Sequence, residues 1–114
     1  MATVYKICPT QMWREAEAEG IFRGAGIDLA DGIIHFSTAG TVKETAERHF
    51  AGMADLVLVA FDDLSLGSEL RYEPSRGGVL FPHLYGPLDP AAALWVKPLP
   101  LTEDGRHVFP DLPP

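Results

Sequence analysis

The chain has 114 residues and a mass of 12.4 kDa, room for one domain and too little for two. Hydrophobic residues make up 46% and charged residues 22%, the balance of a globular core rather than of a disordered chain. Lys plus Arg number 9 against 16 Asp plus Glu, a formal net charge of -7 spread evenly along the chain, which argues against nucleic-acid binding and against docking on anionic membrane.

Val4 to Cys8 alternates weakly and reads as a strand. Pro9 and Thr10 open a helix expected to run to about Glu19, with Gly20 as its stop and Trp13, Ala16 and Gly20 on one face. Residues 22–32, dense in Gly and Asp, read as a loop, and Ile33 to Thr38 as one strand with His35 in its middle. Thr41 and Glu44 have the spacing of a capping box. The helix behind it lines up Val42, Ala46, His49, Phe50 and Met53, with Gly52 as its end and His49 as a half-buried core histidine.

Leu56 to Phe61 is an unbroken β-rich run of buried-strand length, closed by Asp62 and Asp63. Glu69 to Pro74, Val79 to Tyr85 and Ala91 to Leu99 are three further strands, separated by Gly77-Gly78 and by Pro87 to Pro90. Nine of the 10 prolines follow Glu73, so the helices gather early and the last third is strand and turn. The expected organisation is a single α+β domain over residues 1–100 and a Pro-rich tail over 101–114, with a turn at Asp104-Gly105. Cys8 is the single cysteine, so no internal disulfide forms. The N-terminal segment lacks the apolar stretch of a signal peptide, and cytoplasm is the expected compartment.

Common catalytic signatures are missing. Gly24-Ala-Gly26 lacks the third glycine of a dinucleotide fingerprint, having Leu29 there, and it precedes a strand instead of following one. No phosphate-loop Gly-Lys-Ser/Thr and no nucleophile-elbow Gly-x-Ser-x-Gly occur. His35, His49, His83 and His107 show no metal-ligand spacing, and no metal is expected.

Two segments carry more polar chemistry than packing requires. His35 and Ser37 are two apart on a predicted strand, so they share a face and form a hydrogen-bonding pair. Arg71 with Glu73, and His83 with Tyr85, share faces of two later strands and with His35 can line a cleft. Spacing alone favours a structural histidine for the first segment and a surface ion pair with aromatic packing for the second.

Tyr5-Lys6-Ile7, Trp13, Asp31-Gly-Ile-Ile-His-Phe-Ser-Thr-Ala39, His49-Phe50, Leu56-Val-Leu58, Glu73 and Phe81-Pro-His-Leu-Tyr-Gly-Pro-Leu88 resemble a small bacterial and plant family known as domain of unknown function 952. The resemblance runs from about Tyr5 to about Lys97. It implies a fold similar to the ADP-ribosyltransferases: split antiparallel β-sheets with two early flanking helices and a cleft that takes NAD. By that likeness His35-Phe36-Ser37 matches the transferase His-x-Ser element, with His35 on the NAD ribose and Ser37 orienting it. Glu73, or His83 in its place, would be catalytic; Arg23 or Arg71 would hold the diphosphate, and Tyr85 or Tyr72 would stack on nicotinamide. The expected activity is NAD or nucleotide binding with ADP-ribosyl transfer or NAD cleavage. The alternatives are a non-catalytic ligand- or partner-binding module of the same fold and a hydrolase using His35, His83 and Glu73.

Overall fold

The computed structural model describes residues 2–112. In chain order the elements are β1 (Thr3–Pro9), α1 (Thr10–Glu19), α2 (Ile27–Asp31), β2 (Ile34–His35), β3 (Ser37–Thr38), α3 (Val42–His49), β4 (Leu56–Asp62), β5 (Leu70–Pro74), β6 (Leu80–Leu84) and β7 (Trp95–Leu99). Short 3-10 segments precede β5, β6 and β7.

The β-rich run of β4 is buried from Leu56 to Phe61 and pairs antiparallel with β1 in the register Thr3↔Asp62 to Pro9↔Leu56. Alternation sends their side chains to two cores. Val4 and Cys8 with Val57, Val59 and Phe61 pack with Trp13 and Ala16 of α1 and with Ile34, Phe36 and Leu84. Tyr5 and Ile7 with Leu58 and Ala60 pack with Val42 and Ala46 of α3, Leu99, Phe109 and Leu112. Gly20 ends α1 in the left-handed conformation (φ 84°), which glycine enters without a Cβ clash.

The strands form two antiparallel sheets, β3-β1-β4-β7 and β2-β6-β5. The expected continuous strand from Ile33 to Thr38 is therefore corrected: it divides at Phe36. His35 pairs with His83 of β6, whereas Ser37 pairs with Tyr5 of β1. The Phe36 N–H donates to the Pro82 carbonyl at 2.9 Å, and its ring meets Phe61 edge-on at 5.6 Å. β3 covers β1 only at Val4 and Tyr5, so from Lys6 onward the two sheets part and a cleft opens between them.

Other expectations shift locally. The Gly/Asp-rich stretch contains α2, a five-residue helix, and is not loop throughout. The Thr41 side chain does not cap α3; its hydroxyl accepts from the Thr38 N–H at 2.9 Å and closes the preceding turn. α3 stops at His49, and Met53 lies beyond it. β7 begins only at Trp95, because Asp89 caps a 3-10 turn opened by Pro90.

The C-terminal segment folds back on the domain. Gly105 (φ 82°) supports the expected turn, and Leu101 bridges to His107. The Gly52 N–H donates to the Gly105 carbonyl at 3.2 Å, His107 Nε2 to the Met53 carbonyl at 2.9 Å, and Phe109 and Leu112 join the second core. Residues 113 and 114 of the expected tail lie outside the described residues.

Candidate functional site

The cleft holds a cavity of about 740 Å³, within the size range of small-molecule sites. Its wall includes Lys6 from β1, Asp28 and Asp31 from α2, His35 from β2, Ser37 from β3 and His83 from β6.

Asp28 organises this wall. It is 1% exposed, and both of its oxygens are used. Oδ1 accepts from the His35 N–H at 3.1 Å and from His35 Nδ1 at 2.8 Å; Oδ2 accepts from the Ala25 N–H at 3.1 Å and ion-pairs with Lys6 Nζ at 2.5 Å. Burial pushes its carboxyl pKa up, but the charge and hydrogen bond of Lys6, with those from His35 and Ala25, outweigh it and hold it below the ordinary carboxylate range. Lys6 also donates to the His35 carbonyl at 2.8 Å, so one ammonium spans the gap between the sheets. With Nδ1 given to Asp28, His35 keeps Nε2 for the cleft, where Asp31 Oδ2 stands 3.4 Å away. Gly24 permits the arrangement: at φ 119° it carries no Cβ, and one placed there would fall 2.5 Å from Asp28 Cβ.

His83 repeats the pattern from the second sheet. Its Nδ1 donates to Glu73 Oε1 at 2.9 Å, and the Tyr85 hydroxyl donates to the same oxygen at 2.5 Å. The Tyr85 hydrogen bond, then that of His83, holds the Glu73 carboxyl below its ordinary range, and the bond to Glu73 raises the Tyr85 phenol. The rings of His35 and His83 meet edge to face, with centroids 4.9 Å apart. The result is two imidazoles, each fixed in tautomer and orientation by a carboxylate, facing one space.

The sequence-derived residues separate into groups. His35, Ser37 and His83 line the cleft; Glu73 and Tyr85 stand behind His83, with the Arg71 guanidinium over the Tyr85 ring at 5.3 Å. Ser37 does not pair with His35 as a shared strand face suggested, because the strand divides between them; its hydroxyl donates to Thr45 Oγ1 at 3.0 Å. Arg23 is exposed and ion-paired with Glu19 at the end of α1, away from the wall. The Tyr72 hydroxyl donates to Asp63 at 2.9 Å. His49 is exposed and lines the cleft, a correction to its reading as a core histidine, and Phe50 takes the core position instead.

Lys6, Asp28 and Asp31 are not among the site residues expected from sequence, although Lys6 and Asp31 lie in the segments that carry the family resemblance. Lys6 carried a usable signal: it sits between Val4 and Cys8 on the inward face of β1, and a lysine there demands a buried carboxylate. Among the described residues no group of three or more His, Cys, Asp or Glu is arranged to hold a metal ion. Burial pushes the Cys8 thiol up to about 12, which leaves it inert as a nucleophile. No helix among the described residues is long and apolar enough to cross a membrane.

Comparison with known proteins gives the following. No curated protein matches the chain. The crystal structure of protein CC0527 from Caulobacter crescentus is 43% identical, with a TM-score of 0.90 over 93% of each chain. The solution NMR structure of CC0527 is 44% identical, with a TM-score of 0.83 over 93% of this chain and 91% of that one. Residues 7–96 match the family described as Protein of unknown function (DUF952). The chain is therefore a member of the DUF952 family.

Proposed function

We propose that the cleft binds NAD or a related nucleotide through its ribose, and that the bound nucleotide undergoes ADP-ribosyl transfer or hydrolysis. The observation that carries this reading is the pair of carboxylate-held histidines, His35 and His83, meeting at 4.9 Å on the cleft wall. An imidazole nitrogen and a nearby carboxylate suit a ribose diol, which both donates and accepts hydrogen bonds. The division of the sheet at Phe36 is also in keeping with the split sheets of the ADP-ribosyltransferases, a likeness of fold that suggests the ligand class.

The chemistry follows from these groups. The bond between ribose C1′ and the nicotinamide nitrogen breaks, its electron pair leaves with neutral nicotinamide, and the ribose becomes oxocarbenium-like. Asp31 provides negative charge beside that centre. Water, or an acceptor hydroxyl, adds to C1′ and gives its proton to His83, whose imidazolium is stabilised by Glu73. With water the balance is NAD plus water to ADP-ribose, nicotinamide and a proton.

The test is thermal melting with millimolar NAD. Ligand at a hundredfold over its dissociation constant adds about 2.7 kcal/mol, a rise on the order of 10 °C in this size class. The rise is expected in the wild type and lost in His35→Ala; an equal rise in both, or none in either, overturns the reading. A second reading is favoured by one observation: Glu73 stands behind His83, not on the cavity wall. A module that binds without cleaving fits that placement, and it predicts no released nicotinamide on long incubation. Catalysis predicts release that falls about 100-fold or more in Glu73→Gln with binding retained.

A further inference from the structure

We infer that the cleft recognises its nucleotide by a positively charged pyridinium-ribose half and gives the diphosphate no cationic seat. The inference rests on the cleft being the nucleotide site proposed above and specifies which part of the ligand it reads.

A diphosphate is ordinarily met by arginine or lysine, often with two parallel hydrogen bonds. Among the described residues of this wall Lys6 is the one cation, and it is 7% exposed. Its ammonium is taken up by Asp28 Oδ2 at 2.5 Å and the His35 carbonyl at 2.8 Å, so the pair presents no net charge. Arg23 is paired with Glu19, and Arg71 lies on the Tyr85 ring; neither reaches the wall. What remains facing the space is the Asp31 carboxylate, with Glu73 behind His83. The potential in the cleft is therefore negative while the histidines are neutral.

Besides the polar Ser37, Thr45, His49 and Ser75, the rest of the wall is largely apolar, with Met12, Phe50, Met53 and Phe81 among its residues. A flat heteroaromatic cation gains twice in such a space. Ring faces attract its charge, and Asp31 attracts it again across a partly desolvated gap. A phosphate in the same position would meet carboxylate repulsion with no unpaired lysine or arginine among the described residues of the wall to offset its lost hydration. The dinucleotide's phosphates then extend toward water, and affinity comes from the nucleoside end.

Calorimetric titration of the intact protein with four probes tests this: NAD, its reduced form, nicotinamide riboside and ADP-ribose. Nicotinamide riboside is expected to bind within about threefold of NAD, and ADP-ribose at least about tenfold more weakly. The reduced dinucleotide lacks the ring charge and is expected to bind about tenfold more weakly than NAD. Asp31→Asn is expected to shrink that oxidised-to-reduced ratio to below about threefold. Asp31 is 44% exposed, so the variant folds, as its unliganded melting temperature will verify. Equal binding of the oxidised and reduced forms, or ADP-ribose as tight as NAD, overturns the charge selection and leaves the nucleotide reading standing. Binding of none of the four removes both.

Discussion

Asp28→Ala is expected to destabilise the protein by about 3–5 kcal/mol, lowering the melting temperature on the order of 15 °C. The cause is not a lost contact of average worth. Asp28 is 1% exposed and answers four donors, and its removal leaves the Lys6 ammonium at 7% exposure with no counter-charge. Breaking a buried pair from one side is far worse than replacing both sides, because the orphaned charge keeps its full desolvation penalty. Asp28→Asn should therefore also be costly, and Lys6→Met placed in that background should recover part of the loss. The pH dependence has a definite sign. The native Asp28 pKa lies below its unfolded value, so its stabilisation is complete above the ordinary carboxylate range and is lost as pH falls through the native pKa. The gap between wild type and Asp28→Asn should be widest at neutral pH and close in acid. Urea unfolding at several pH values measures it, and a neutral-pH loss under about 1 kcal/mol would show that the pair is solvated. Imidazole nitrogen shifts provide a second readout, since His35 should lose its fixed Nδ1–H tautomer when Asp28 is replaced.

Gly24→Ala should be the other severe change, although it deletes nothing. At φ 119° an L-residue is strained by about 1–3 kcal/mol, and the new Cβ would sit 2.5 Å from Asp28 Cβ. A side chain tip could swing away; a Cβ is fixed to its helix, so α2 itself must move. Since Asp28 holds His35, the expected phenotype is double: reduced stability and a weakened NAD-induced rise in melting temperature. Gly86→Ala is the control. The three atoms nearest to a Cβ there all belong to the carboxylate of exposed Glu69, at 2.6–2.9 Å, and that end of a flexible chain can rotate out. It should change stability by less than about 0.5 kcal/mol. Equal behaviour of the two glycine variants in a melting experiment would contradict the packing described around Asp28.

The parts of the fold legible in sequence are those whose signals are local. α1 is bounded by Pro9 and Gly20, β4 is an uninterrupted β-rich run, and the later strands are set off by Gly and Pro. The division at Phe36 was not legible, because alternation along Ile33 to Thr38 is the same whether one sheet or two receives it. Which sheet takes each half is decided by distant partners, Tyr5 for Ser37 and His83 for His35. α2 was invisible for a different reason: five residues carry too little periodicity to stand out from a Gly/Asp-rich loop. The site divided along the same line. His35 and His83 stood out as polar rings in strands, whereas Asp28 looked like one more loop acid until the fold brought Lys6 to it.

The second core links the end of the chain to the cleft. The family match stops at residue 96, yet Phe109 and Leu112 cover the side of β1 that carries Tyr5 and Ile7, and Lys6 projects from the other side of that strand. The likeness to CC0527 covers 93% of the chain and so runs past that bound, and the packing of Phe109 and Leu112 makes the C-terminal segment part of the folded unit. A protease cut behind Leu99 would wet the back of β1 and be felt, one residue's thickness away, at the ammonium that bridges the two sheets.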